Sequence, residues 1–127
     1  MRRLILLMIV GLLILAGCSS SNQNGAAKAV EGYLQAVVAK DANKVTSLSC
    51  ADWESGAQLE VDSFSAVTAK MNDLSCKVTG TSGKFTLVGC TGNIITTYNN
   101  EDQEINLLGR VYQVVQENGE WRMCGYK

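Results

Sequence analysis

Thirteen consecutive residues, Leu4 to Ala16, carry neither a charge nor a polar side chain, and downstream of them the spacing of apolar positions changes character along the chain. At 1.5 Å per residue that run falls short of the roughly 20 residues a membrane-spanning helix needs. Ser19 to Gly25 (SSSNQNG) is polar and without periodicity, and reads as a tether; seven such residues have an r.m.s. span of roughly 15 Å. Val30, Tyr33, Leu34, Val37 and Val38 then follow the i, i+3, i+4, i+7, i+8 rule of an amphipathic helix, with Lys28, Glu31, Gln35 and Lys40 on the other face. This predicts a helix over about 26–40. Asp41-Ala42-Asn43 interrupts it, and Asn43 can cap a short second helix carrying Val45 and Leu48 toward Cys50. Ser55-Gly56-Ala57-Gln58 has capping-box spacing, and behind it Ala57, Val61, Phe64, Thr68, Met71 and Leu74 recur at steps of three or four. A third helix to about Asn72 is expected, with a strand or loop over Glu60 to Ser65 as the alternative.

From Leu74 the composition turns to β-branched residues, Gly and Thr, which predicts strands near 74–80, 84–98, 104–117 and 120–126. Thr81-Ser82-Gly83-Lys84 and Asn99-Asn100-Glu101-Asp102 supply the first two turns. Asn118-Gly119, between Val114-Val115 and Trp121, is the strongest hairpin signal. Four cysteines follow the N-terminal region: Cys50, Cys76, Cys90 and Cys124. An even number in a small domain reads as two disulfides where the compartment is oxidising, and four cysteines allow three pairings. Cys76 and Cys90 stand equally far from Gly83, so a hairpin centred there opposes them within disulfide reach. Cys50 is then left for Cys124.

The N-terminus adds chemistry. Arg2 and Arg3 precede the apolar run, and Leu15-Ala16-Gly17-Cys18 ends it. A basic start, a short apolar stretch and then small residues form the pattern of an export signal. The Leu-Ala-Gly-Cys ending resembles the lipobox of bacterial lipoproteins. That resemblance implies a signal peptide over 1–17, cleavage before Cys18, and acyl chains on Cys18 that hold the chain to a membrane. At about 0.8 kcal/mol per buried CH₂, two or more chains anchor essentially for good. Ser19, where Asp would signal inner-membrane retention, implies the outer membrane if the host has one. The expected organisation is thus a signal peptide over 1–17, a lipidated tether over 18–25 and one domain over 26–127 on the extracytoplasmic side.

Composition narrows the function classes. Removing Arg2 and Arg3 leaves 9 basic against 12 acidic residues, a net charge of −3, which argues against nucleic acid as a partner. The chain has no His, hence no histidine-based triad, and a zinc site is disfavoured. No CxxC is present, so neither a thioredoxin-type redox site nor a paired metal knuckle is supported. Asn99 to Glu104 is oxygen-rich but lacks the spacing of a calcium loop, and Gly83-Lys84 has no glycine-rich run before it to make a phosphate loop. No cofactor or metal is expected.

Helices first, then a long antiparallel sheet closing on Asn118-Gly119-Glu120-Trp121-Arg122, with the first helix running into Ala39-Lys40-Asp41-Ala42, resembles the nuclear transport factor 2-like fold shared by ketosteroid isomerases and SnoaL-like cyclases. A cystatin-like fold with fewer helices is the runner-up. The resemblance implies an α+β domain of N-terminal helices on a curved, cone-like, four-stranded sheet, stapled by two disulfides. It also implies a concave interior able to hold a small apolar ligand, and pairing of two copies through the sheet face. Enzymes of this fold place an acid–base dyad inside the cone. Here Asp62, Tyr98 and Tyr112 are the residues to weigh, and none matches that pattern well enough to receive a catalytic role. Trp53, Tyr98, Tyr112 and Trp121 are the pocket residues expected on aromatic character. The expectation is a non-enzymatic envelope lipoprotein that binds a small apolar ligand or an envelope protein, with an isomerase-like or cyclase-like enzyme, or a purely structural accessory, as alternatives.

Overall fold

The computed structural model describes residues 19–127; the signal peptide expected over 1–17 and the lipidation expected at Cys18 lie outside the described residues. Helix α1 spans Ser19–Val38, α2 spans Ala42–Ser47, and a 3₁₀ turn over Ala51–Trp53 leads directly into α3, Glu54–Ser63. Strands β1 (Thr68–Ser82), β2 (Phe85–Tyr98), β3 (Glu101–Asn106), β4 (Val111–Glu117) and β5 (Glu120–Tyr126) form one antiparallel sheet. Among the described residues no helix is long and apolar enough to cross a membrane.

The apolar stripe of α1 does what its spacing dictates: Val30, Tyr33, Leu34 and Val37 are buried against Val88, Ile94, Tyr112, Val114 and Met123 of the sheet. The helix starts earlier than its periodicity. Residues 19–25, expected as a tether, are helical, and Gly25 lies against the Trp121 indole, which a Cβ would approach to 3.0 Å. Asp41, not Asn43, caps α2, its side chain accepting from the Lys44 N–H at 3.0 Å.

The third helix ends nine residues short of the expected Asn72, at Ser63, where Phe64 and Ser65 N–H groups turn back onto Val61 and Asp62 carbonyls. Thr68 to Leu74 belongs to β1. Its alternation places Ala69 and Met71 toward the interior, and a bulge between Asn72 and Ser75 inserts an extra residue, so that Leu74, Cys76 and Val78 continue the inward face. The three-residue step from Met71 to Leu74 is that bulge, and it imitates a helical turn.

Strand β2 pairs with β1 along its whole length; its other edge pairs with β4 through Thr86–Gly89 and with β3 through Asn93–Tyr98. The expected single strand over 104–117 is therefore two, and the sheet has five strands instead of four. The break at 107–110 is built by the Leu107 N–H donating to the Gly92 carbonyl (3.0 Å), by Asn106 Oδ1 accepting from the Leu108 N–H (2.8 Å), and by Gly109 at φ +91°. At the same level β2 bends at Gly92, φ +108°, opposite the β1 bulge. Sheet curvature and strand break coincide there, and the sheet folds over α1 and α3 as a cone. Two Asn-led turns close hairpins, Asn99-Asn100 and Asn118-Gly119, all four residues at positive φ as type I′ geometry needs.

Cys76 and Cys90 are directly opposed, Cα to Cα 4.1 Å, and disulfide-bonded. The turn is Gly83-Lys84, half a residue beyond Gly83, and an irregularity between Val78 and Gly80 restores the register that opposes them. Cys50 is bonded to Cys124, where the chain after α2 runs beside β5: the Cys50 N–H donates to the Met123 carbonyl and the Met123 N–H to the Leu48 carbonyl, both at 2.8 Å.

Candidate functional site

An open cavity of about 700 Å³ lies between α3 and the curved half of the sheet. From the helical side it is lined by Trp53, Leu59, Glu60 and Phe64, and from the sheet by Ile94, Thr96, Gln103 and Ile105. Arg110, emerging from the strand break, and Tyr126, at the end of β5, close its remaining side. Its size falls within the range of small-molecule sites, and its walls are mostly apolar with a few convergent polar groups.

Those polar groups form one constellation. The 3₁₀ turn sets Trp53 flat between two glycines: a Cβ on Gly56 would meet its ring at 2.6 Å and one on Gly125 at 3.3 Å. The Trp53 Nε1–H donates to the Tyr33 hydroxyl at 3.0 Å, and that hydroxyl donates to Glu60 Oε2 at 2.6 Å. A relay thus runs from the α3 entrance through α1 back to the cavity wall. Burial pushes the Glu60 carboxyl above the usual carboxylate range, against the opposing pull of the Tyr33 hydrogen bond and the Arg110 charge. Tyr33 is pushed up as well, by burial and by donating to Glu60. The Arg110 guanidinium lies over the Tyr126 ring at 5.1 Å, and Tyr126 in turn packs edge-on to Trp53 (centroids 5.9 Å apart) and tilted to Tyr112 (5.6 Å). Tyr112 is fully buried. Its hydroxyl is pushed up by burial and feels the Arg110 charge, yet it has no hydrogen bond of good geometry among the described residues.

Of the four aromatics expected in a pocket, Trp53 lines the cavity and Tyr112 packs against its Tyr126 wall. Tyr98, 59% exposed, does not line this cavity; it borders a smaller adjoining depression that shares Val67, Thr96 and Gln103 with it. Trp121 does not line the cavity; β5 points it at the start of α1, against Gly25. Asp62 is exposed on α3 and likewise outside the cavity wall. Glu60, Tyr33 and Arg110 were not anticipated as site residues. Glu60 carries a readable signal: it is three residues after Ala57 and four before Phe64, a charge on the stripe that α3 buries. Among the described residues no group of three or more His, Cys, Asp and Glu is arranged to hold a metal.

No protein-family profile matches the chain, and no curated protein matches it. Solved structures similar in fold include the following three. An NTF2-like protein of unknown function from Pseudomonas putida KT2440 is 10% identical, over 87% of this chain and 87% of that one, with a TM-score of 0.54. A Streptomyces avermitilis protein, described as a dehydratase candidate of the NTF2-like family, is 15% identical over 84% of this chain and 94% of that one, TM-score 0.55. A SEC-C motif containing protein from Rhodopseudomonas palustris is 10% identical over 81% of this chain and 79% of that one, TM-score 0.52. At these identities the likeness shows the fold alone: a nuclear transport factor 2-like α+β fold.

Proposed function

We propose that the chain is a lipid-anchored, extracytoplasmic envelope protein whose cone binds a small, largely apolar molecule. The observation that carries the binding role is the open cavity of about 700 Å³ walled by Trp53, Phe64, Ile94 and Ile105. The lipobox-like Leu15-Ala16-Gly17-Cys18 supports the anchor at Cys18, and two disulfides in a small domain suit an oxidising extracytoplasmic compartment. With an outer membrane in the host, Ser19 favours that membrane. Partners in this reading are the membrane, through lipid, and the cavity's ligand, with pairing of two copies through the sheet face as the assembly. The binding role is tested by titrating the full chain, reconstituted in phospholipid nanodiscs, with 2-naphthylacetamide against empty nanodiscs. Saturable binding that weakens tenfold or more in Gln103→Trp, which fills the cavity from the sheet, is expected; partition indistinguishable from empty nanodiscs sinks the reading.

A second reading is favoured by Glu60. A carboxyl raised above its ordinary range, hydrogen-bonded to Tyr33 at the wall of an open cavity, is equipped for proton transfer. In this reading the chain is an isomerase-like or cyclase-like enzyme acting on a small apolar ketone. Deuterium exchange at the α-carbons of 2-tetralone in D₂O, accelerated by the wild type and not by Glu60→Gln, is the expected sign; equal exchange with both chains rejects it.

A further inference from the structure

Among the described residues, Glu60 and Arg110 are the two charged side chains lining the cavity, and they are unequally engaged. Glu60 already accepts the Tyr33 hydroxyl, which receives the Trp53 N–H. Arg110 makes no ion pair among the described residues; Tyr126 covers one face of its guanidinium, leaving the edge that carries its N–H donors. A guanidinium edge in apolar surroundings matches a planar anion with two parallel hydrogen bonds. Beside that guanidinium the buried Tyr112 hydroxyl, which Arg110 approaches, makes no hydrogen bond of good geometry among the described residues. We propose that the cavity selects apolar molecules carrying a single carboxylate, received by Arg110, and that Glu60 takes up a proton as the anion enters.

The uptake follows from geometry and charge. A ligand carboxylate on Arg110 neutralises the one cation that helps keep Glu60 ionised, and sets a second negative charge in the same cavity. The groups facing Glu60 from other elements are Tyr33 of α1, Tyr112 of β4 and Arg110; Tyr126 of β5 lines the same cavity, and Thr96 of β2 and Gln103 of β3 do not titrate. With two carboxylates otherwise facing each other in one cavity, Glu60 becomes the neutral acid. Carboxylate affinity accordingly falls as pH rises through the Glu60 pKa, whereas affinity for a neutral isostere does not.

This inference rests on the small-molecule reading of the cavity, and the test separates the two. The full chain in nanodiscs is titrated calorimetrically with 2-naphthylacetate and with 2-naphthylacetamide, at pH 5.5 and pH 8, in buffers of different ionisation enthalpy. At pH 5.5 the acetate is expected to bind roughly tenfold to a hundredfold more tightly than the amide, the range of one charged hydrogen-bonded pair. Its heat should vary with buffer as uptake of up to one proton requires, the preference should shrink at pH 8, and Glu60→Gln should bind the acetate without that uptake. Arg110→Gln should equalise the two ligands while still binding the amide, which shows that its cavity is intact. Should Arg110→Gln not fold, Arg110→Lys, which keeps a cation, should retain a preference for the acetate. Equal binding of acetate and amide by the wild type overturns the inference and leaves the small-molecule reading standing. A preference without proton uptake at either pH overturns the role given to Glu60. Binding of neither ligand overturns inference and reading together.

Discussion

At the scale of single residues, the Tyr33–Glu60 contact joins stability to chemistry. Glu60 is held neutral more readily in the fold than in the unfolded chain, because burial disfavours its charge. With a folded pKa raised above the ordinary one, the folded state is favoured at acid pH and loses stability as pH rises from the ordinary carboxylate pKa through the folded one. The Tyr33 hydroxyl opposes the shift by donating to the carboxylate. Tyr33→Phe removes that donor and strands the Trp53 N–H. It should destabilise the protein by about 1–2 kcal/mol in urea unfolding, and by more at pH 7.5 than at pH 4. Equal losses at both pH values would contradict the assignment. Glu31 behaves in the opposite sense. Burial would raise its carboxyl, but hydrogen bonds from Lys28 and from the Cys76 N–H outweigh it and hold the pKa below the ordinary value. The stability Glu31 contributes is present above that ordinary value and is lost as pH falls through the folded one. Sequence pattern exposes such residues unevenly. Tyr33 is recognisable as an inward residue of α1, and Trp53 as a large aromatic. That Tyr33 meets Glu60, 27 positions away, depends on how two helices pack, which no spacing along the chain encodes.

At the scale of elements, the long bent strand is the feature that makes a cavity from a sheet. Gly92 has φ +108°, and a Cβ there would lie 2.6 Å from the Asn72 carbonyl oxygen and 2.7 Å from that of Asp73. Gly92→Ala combines backbone strain with a collision against a backbone that cannot rotate away, and should cost at least about 1–3 kcal/mol. Gly83→Ala, with a positive φ but nothing near its Cβ, carries the strain alone and should cost less in the same unfolding measurement. The reverse order would mean that the bend is not held by the close approach. This element-level logic was half legible. Alternation and Asn-led turns are local, so the hairpins at Asn99-Asn100 and Asn118-Gly119 could be read from sequence. The β1 bulge could not, because one inserted residue gives Met71 and Leu74 a helix-like spacing. Nor could the break after β3, where Asn106 and Gly109 are turn formers set within Ile105, Leu107, Leu108 and Val111, an apolar run that favours an unbroken strand.

At the scale of the whole molecule, the two disulfides differ in what they hold. Cys76–Cys90 spans 14 positions within one hairpin, while Cys50–Cys124 spans 74 and fastens the helical layer to the last strand. Loop-closure entropy makes the longer bridge the more stabilising by roughly 1.5 kcal/mol, with a total effect of about 2–5 kcal/mol for its removal. Cys50→Ser with Cys124→Ser should therefore lower the melting temperature more than Cys76→Ser with Cys90→Ser. The order of the two melting temperatures decides the point. Symmetry about Gly83 pointed to Cys76–Cys90, and that pair forms. The turn, however, is centred between Gly83 and Lys84, and only the irregularity between Val78 and Gly80, which no sequence signal marks, opposes the two. Parity then leaves Cys50 for Cys124.

The cavity between α3 and the curved sheet remains the centre of the account, and the protein carries its own control for it. The chain has two tryptophans. Trp53 lines the cavity and donates its indole N–H to Tyr33, whereas Trp121 packs against Gly25 outside it. In ¹H–¹⁵N spectra of the full chain in nanodiscs, titration with 2-naphthylacetamide should move the Trp53 indole resonance saturably and leave that of Trp121 in place. An unmoved Trp53 signal, or equal displacement of both, would contradict a ligand-binding cavity at this site.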